Sequence, residues 1–165
     1  MGGVGTWVQV KTTGLDEVTR ELERLASPQE CDAIFKSVCY EGMNVMADYM
    51  RSQLEALKTT KQTKGNKNEK RYCTQREKDV LLKEMGVTPI KPYGSGYDCK
   101  VGFDGYYENA RGDTVPIPLL ANSINKGTSF MHYQHFIDRS KRGGQAKTID
   151  AMSDALDAEI KKRTH

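Results

Sequence analysis

The sequence predicts an α+β fold in which a small antiparallel β-sheet packs against one long helix and a C-terminal helix, with a long basic loop. Three patterns predict it. Apolar residues recur at helical spacing between 31 and 57, a strictly alternating segment covers 97–103, and a second amphipathic pattern covers 148–163. The chain of 165 residues shows no internal repeat and fits a single domain at 1–165.

The long helix is predicted by its start signal and by its apolar spacing. Ser27 suits the N-cap, Pro28 suits the first helical position, and Glu30 can bond back to the cap. Gly42 lies inside the helix, where it costs about 1 kcal/mol relative to Ala, so we expect it to mark a close crossing with another helix. Three methionines are expected to fill the core: Met43, Met46 and Met50.

Shorter patterns occupy the rest of the chain. The alternating residues at 6–12 predict a strand, and a turn at Asp104-Gly105 predicts that Tyr106 and Tyr107 pair with the strand at 97–103. Prolines and glycines predict a loop at 89–96. Short helices are predicted at 15–26, 75–85 and 118–124, the last two ended by Gly86 and Gly127.

The segment at 58–71 has an unusual composition. Five lysines at every third position and one arginine face a single acid, Glu69, so the segment carries a net charge of +5 and has no apolar residue. We therefore predict a mobile basic loop inserted at 58–74, although it lacks the interleaved aromatic residues of single-strand binders. It is either a solvated loop or a contact for DNA or an acidic partner, and its candidate contact residues are Lys58, Lys61, Lys64, Lys67, Lys70 and Arg71.

The residues suited to chemistry form no familiar catalytic or metal-binding pattern. The cysteines at 31, 39, 73 and 99 lack Cys-x-x-Cys spacing and are expected to be buried free thiols. His132 and His135 lie three positions apart, but a zinc site needs a third protein ligand and none is obvious. Gly127-Thr128-Ser129 is not a nucleophile elbow. We expect a non-enzymatic protein without cofactor or metal, with a small metal-dependent enzyme built on the two histidines as a lesser alternative.

Composition also bears on location. The formal net charge of +3 is mild and does not by itself indicate nucleic acid. The sequence has no signal peptide and no run of 18 apolar residues. We therefore expect a protein that stays in a reducing cytoplasm, without membrane contact.

Three segments resemble the neck and tail-completion proteins of long-tailed bacteriophages, the gene-product-ten family named from a lambdoid coliphage. The first is Thr13-Gly14-Leu15-Asp16-Glu17 with the leucines that follow it, and the second is the long helix with its variable loop. The third joins the segments 125–128 and 135–140. They stand where the family has Glu-x-Gly-Thr and Pro-Phe-[Leu/Ile]-x-x-[Ala/Ser], with Asn125 in place of Glu and His135 in place of Pro.

The resemblance implies a structural virion protein. Its relatives assemble as rings at the junction of head and tail and leave a channel for DNA, so the implied partners are copies of the chain in a hexamer or dodecamer. The other implied partners are the neighbouring head-completion and tail-tube or tail-terminator proteins. The resemblance also implies non-specific contact between the chain and DNA in the channel. The implied location is the neck or tail of the virion, and the host cytoplasm during assembly. The resemblance implies a subunit or partner contact at Asn125, Gly127, Thr128, Phe136 and Ile137.

Overall fold

The computed structural model describes residues 7–11, 16–94 and 96–164, so the predicted first residue of the first helix, Leu15, lies outside the described residues. The α+β fold is confirmed. In chain order the elements are β1 (Val8–Lys11), α1 (Asp16–Leu25), α2 (Pro28–Glu55), α3 (Gln75–Glu84), β2 (Met85–Val87), β3 (Lys91–Tyr93), β4 (Gly96–Phe103), β5 (Tyr106–Glu108), β6 (Thr114–Pro116), α4 (Ile117–Lys126) and α5 (Phe136–Arg163).

The long helix α2 begins at the predicted capping box. The Ser27 hydroxyl accepts from the Glu30 amide at 3.4 Å, and the Glu30 carboxylate accepts from the Ser27 amide at 2.7 Å. Both orphan amides at the start of the helix are thereby satisfied. One face of α2 is buried over its whole length, and its methionines at 43, 46 and 50 fill the core as predicted.

Helices α2 and α5 pack closely along their length. The predicted close crossing at Gly42 is confirmed, because a Cβ there would collide with Met152 of α5 and lie 3.2 Å from Cγ2 of Thr148. Further along, Gly144 of α5 faces Met46, and Gly143 faces the ring of Tyr49. The absence of side chains at these glycines lets the two backbones approach.

The C-terminal helix begins at Phe136, not at 148 as the sequence predicted. Two adjacent glycines at 143 and 144 are poor helix formers, so local preference placed the start of the predicted helix too late in the chain. The contacts of these glycines with α2 stabilise α5, so the helix continues through positions 143 and 144. The turn that precedes α5 therefore leads directly into the helix, without the predicted intervening segment.

The main sheet is built around β4. Strand β1 pairs with one edge of β4, and β2 and β3 both pair with the other edge, all antiparallel. The pairs Val87–Val101 and Lys91–Asp98 leave three residues at 88–90 opposite two on β4, which is a β-bulge. Two predictions were wrong here: Gly86 lies within β2 instead of ending a helix, and part of the predicted loop at 89–96 forms β3.

The β4 strand lies against α2. The Tyr97 hydroxyl donates to Oδ1 of Asp32 on α2 at 2.7 Å, and its ring packs on Phe35 with the centroids 5.9 Å apart. Burial and the Asp32 carboxylate raise the pKa of Tyr97 to about 12, which keeps the hydroxyl a donor. The sheet is therefore fixed to the start of the long helix.

A second, two-stranded sheet corrects the predicted partner of Tyr106 and Tyr107. These residues belong to β5, which pairs with β6 and not with β4. The predicted turn does exist, with Gly105 at φ 85°, but it carries the chain away from β4. The Ile117 amide donates to the Gly105 carbonyl at 3.0 Å, so the turn is fixed to the first residue of α4.

The buried apolar side chains form one contiguous core that includes residues of β4, α2, α4 and α5. All four cysteines are free and buried, as predicted. Among the described residues, no helix combines the length and the apolar character that crossing a membrane requires.

Candidate functional site

The basic segment is closed at its base by hydrogen bonds. Gln134 accepts from the Lys58 amide at 2.8 Å and donates to the Lys58 carbonyl at 3.1 Å, and the Thr60 amide donates to the Cys73 carbonyl at 2.9 Å. Between these points the chain is irregular, as predicted. The role of Gln134 could not be predicted, because it lies 76 positions from Lys58.

Arg71 is part of the interior, which corrects its prediction as a contact residue. Its side chain is 9% exposed and forms two hydrogen bonds of 2.8 Å with the Glu77 carboxylate. Its amide donates to the Phe130 carbonyl, and its carbonyl accepts from His132. The segment at 58–71 therefore has a buried anchor, although its composition predicted that none of it would pack.

Glu77 serves two structures at once. Burial opposes its charge, but hydrogen bonds from Arg71 and from the Thr74 amide outweigh burial and hold the pKa of Glu77 below its ordinary value of 4.5. The Thr74 amide lies 2.7 Å from the carboxylate and belongs to the N-cap of α3. One carboxylate thus starts α3 and neutralises Arg71.

All five lysines of the segment at 58–71 are exposed. Lys58 lies with its ammonium 5.7 Å from the centroid of the Tyr72 ring, and the others extend from the irregular chain. Within the described residues, none of these five lysines forms an ion pair. Four of them are the free cationic side chains of the basic loop: Lys61, Lys64, Lys67 and Lys70.

A groove of about 730 Å³ lies between the basic loop and the β5–β6 hairpin. Its apolar wall includes Leu119, which is 55% exposed, and Phe130, which is 47% exposed. Apart from the Arg71–Glu77 pair, Glu108 is the one residue with a carboxylate among the described residues that line it. We call this the basic groove, after its four cationic side chains Lys61, Lys64, Arg76 and Arg111. The sequence alone did not indicate that Arg76 and Arg111 belong to this site, because one lies on α3 and the other in the turn between β5 and β6.

The turn between α4 and α5 is organised by Asn125, which is 3% exposed. Its Oδ1 accepts from the Ile137 amide at 2.9 Å and from the Asp138 amide at 3.4 Å, and its Nδ2 donates to Asp138 at 3.0 Å. His135, at the N-cap position, has φ 46° and makes no side-chain cap. Asn125 therefore caps α5 from another helix.

The five residues predicted to form a subunit contact have different positions. Gly127 ends α4 with φ 76°, as predicted, and it and Thr128 are half-buried. Phe136 is fully buried against Phe103, and Ile137 and Asn125 are also interior. Apart from Gly127, which has no side chain, these residues already contact other parts of the chain through their side chains. The predicted subunit contact is therefore limited to the backbone and surface of the turn.

The two histidines that could hold a metal are used in ring contacts. His132 stacks on Tyr72 with the centroids 4.7 Å apart, and His135 packs on Tyr133 at 4.6 Å. His135 also lies 3.4 Å from the Asp138 carboxylate. In the described ranges, no three potential ligands among His, Cys, Asp and Glu come together.

Two of the buried thiols, those of Cys73 and Cys99, are poorly suited to act as nucleophiles. Burial raises the pKa of Cys73 to about 11, and its Sγ lies 3.3 Å from the Lys58 carbonyl. A hydrogen bond with Cys39, together with burial, raises the pKa of Cys99. At neutral pH these two thiols are protonated, and the thiolate is the reactive form.

The side chains of the basic groove define a class of surface in which cationic groups border an exposed apolar groove. No family model, curated protein or solved structure matches this chain. The site is therefore defined by its own charges, burial and hydrogen bonds.

We expect Asn125→Ala to destabilise the protein by about 1–3 kcal/mol, because it leaves the buried Ile137 amide without an acceptor. Urea unfolding measures the change. The matched control is Asn122→Ala, a half-exposed neighbour on α4, which should change stability by less than about 0.5 kcal/mol. Equal stability of the two variants would show that Asn125 does not cap α5.

We expect Glu77→Gln to lower stability at neutral pH by about 3–5 kcal/mol, because Arg71 is left as a buried charge without its counter-ion. The folded-state pKa of Glu77 lies below 4.5, so its contribution is fully present above pH 4.5 and is lost as the pH falls through the folded-state pKa. The gap between variant and wild type should therefore close on acidification. Urea unfolding at several pH values tests this, with Glu84→Gln as the exposed control, and a pH-independent gap would refute it.

Proposed function

We propose that the chain is a structural, non-enzymatic subunit of a tailed-bacteriophage neck or tail, part of a ring that joins or completes the tail where it meets the head. It would act at the channel through which DNA leaves. The proposal rests on the resemblance of three segments to the neck and tail-completion family. It needs no catalytic residue, cofactor or metal.

One observation carries the proposal. The two short motifs of the resemblance, at 125–128 and 135–140, are separated by six residues in sequence and are joined by hydrogen bonds at one turn of the structure. Asn125 lies in the first motif and caps the helix that begins in the second. Motifs that form one structural unit are better support for a resemblance than the same residues scattered over a surface.

The architecture is a second support. The resemblance implies a small antiparallel sheet packed with a long helix and a C-terminal helix, and the chain has these parts in this arrangement. A fold supports many functions, so this agreement supports the proposal without carrying it.

Negative-stain imaging tests the proposal directly. The purified chain is examined alone, with tail tubes, and with DNA-filled heads of the phage that encodes it. We expect closed rings, or rings that cap one end of a tube or head. A chain that stays monomeric at high concentration and binds neither partner would refute the proposed role.

A small DNA-binding module is the second candidate. The exposed lysines of the basic loop favour it, because none of them pairs with a carboxylate of the residues that the structure describes. A lysine that contacts a phosphate releases a counter-ion, so binding weakens steeply with salt, with a slope of about 0.9 per contact in a log–log plot. This alternative concerns DNA bound by the free chain, whereas a ring subunit requires only weak contact with DNA in the channel.

If the loop binds duplex DNA, we expect the salt slope to fall by about 3–4 when all four lysines become Gln. Fluorescence anisotropy over a range of salt concentrations measures it. The test variant is K61Q/K64Q/K67Q/K70Q. The control, which removes equal charge elsewhere, is K83Q/K91Q/K141Q/K161Q. Equal slopes for the two variants, or no binding by the wild type, would remove the DNA-binding candidate.

A further inference from the structure

The basic groove is fixed by contacts of the chain on the side of the basic loop. The Arg71 amide donates to the Phe130 carbonyl at 3.0 Å, and a Cβ at position 65 would collide with the same carbonyl, so Gly65 lies directly against it. The irregular segment is thereby held against the backbone of residue 130. A surface that needs no reordering before it binds loses less conformational entropy on binding.

The opposite side of the groove is fixed by the turn between β5 and β6. Oδ1 of Asn109 accepts from the Arg111 amide at 2.8 Å and from the Asp113 amide at 3.0 Å. Its Nδ2 donates to the Asp113 carboxylate at 3.1 Å. The Arg76 guanidinium donates to the Glu108 carbonyl at 3.0 Å, which joins α3 to the same hairpin. The guanidinium of Arg76 and the backbone that carries Arg111 are therefore both held beside the groove.

The apolar lining of the groove comes from three parts of the chain. Tyr107 and Val115 are paired directly across the hairpin, so their side chains share a face, and both line the groove. Leu119 of α4 and Phe130 of the turn after α4 add exposed apolar surface. Contiguous exposed apolar surface with a polar rim is typical of an interaction site.

The charge of the groove selects its occupant. The lining carries an excess of cationic side chains, which are Lys61, Lys64, Arg76 and Arg111. Among the described lining residues, Glu108 is the one acid outside the Arg71–Glu77 pair. Complementary charge at the rim of an interface selects the right partner, while the apolar centre contributes affinity. The occupant that fits both properties is an apolar side chain flanked by carboxylates.

The composition of the apolar lining favours a protein segment over a strand of nucleic acid. Single-stranded nucleic acid binds by stacking its bases on aromatic rings. Phe130 is the one exposed aromatic side chain among the described lining residues, whereas Leu119, Val115 and Met131 present no ring. The volume of about 730 Å³ lies in the range of pockets that enclose a compact ligand. A short segment with one or two large apolar side chains matches this space.

We propose that the basic groove binds a short acidic segment of another protein. One or two large apolar side chains of that segment lie against Leu119 and Phe130, and its Asp or Glu side chains pair with the four cations at the rim. The inference goes beyond the proposed function, because it depends on the groove alone and holds whether or not the chain belongs to a phage tail.

Fluorescence anisotropy with synthetic peptides tests the proposal. Each labelled peptide carries two apolar residues, drawn from Leu, Ile, Phe and Met, between pairs of Asp and Glu. We expect saturable binding to the wild type. The charge variant K61Q/K64Q/R111Q and the apolar variant L119S/F130S should each weaken binding by about 10-fold or more. All five substituted side chains are exposed, so both variants should keep the fold, which urea unfolding verifies.

Each variant has a matched control outside the groove. K83Q/K91Q/K141Q removes three exposed charges, and L25S/I149S removes two exposed apolar side chains, so both should bind the peptides as the wild type does. Peptides with Ser in place of their two apolar residues should bind about 10-fold more weakly or worse. Equal loss of binding in the groove variants and their controls would overturn the proposal, and so would a wild type that binds none of the peptides.

Two other results would identify a different occupant. If single-stranded oligothymidine binds the wild type more tightly than the acidic peptides do, and both groove variants lose that binding, the groove is a nucleic-acid site. If the wild type self-associates, binds no peptide, and loses self-association in both groove variants, a second copy of the chain is the occupant. Either result overturns the proposal, and imaging with heads and tails still decides the proposed function separately.

Discussion

The close contact between α2 and α5 is the constraint on which the other parts of the molecule depend. Glycines on both helices, at 42 and at 143–144, bring the backbones together, and methionine side chains fill the space beside them. Methionine suits this role because its unbranched side chain adapts to irregular gaps. Since α2 also carries the sheet through Asp32 and Tyr97, a shift in the helix pair would move the sheet as well.

Two polar networks connect the irregular segments to this framework. Asn125 fixes the start of α5, and the Arg71–Glu77 pair fixes the end of the basic segment beside α3. Each network satisfies backbone amides as well as side chains, which is what makes a buried polar group tolerable. The result is a rigid base beneath an exposed, cationic stretch of chain. A surface built this way can present charge without requiring the loop itself to pack.

Much of the fold follows from local sequence, whereas the site depends on contacts between distant residues. The capping box at Ser27, the alternation in β4 and the role of Gly127 are local signals, and each was predictable. The early start of α5 was not, because the cost of Gly143 and Gly144 in a helix is offset only by α2. The burial of Arg71 could not be predicted for the same reason. The composition of the segment at 58–71 indicates exposure to solvent, but Arg71 is buried because it pairs with Glu77 on α3. The groove combines side chains from several elements, so no single stretch of sequence could reveal it.

The bulge that interrupts the β2–β3 edge has a consequence for solubility. An unbroken, flat edge strand exposes a row of backbone donors and acceptors on which another chain can add a strand, and this is a common route to aggregation. Here the edge is divided by the bulge at 88–90, and Pro89 and Pro92 have no amide hydrogen to offer. Lys91 adds a charge at the same edge. Copies of this chain crowded together are thus discouraged from joining sheet to sheet, which leaves side-chain surfaces to determine how they associate.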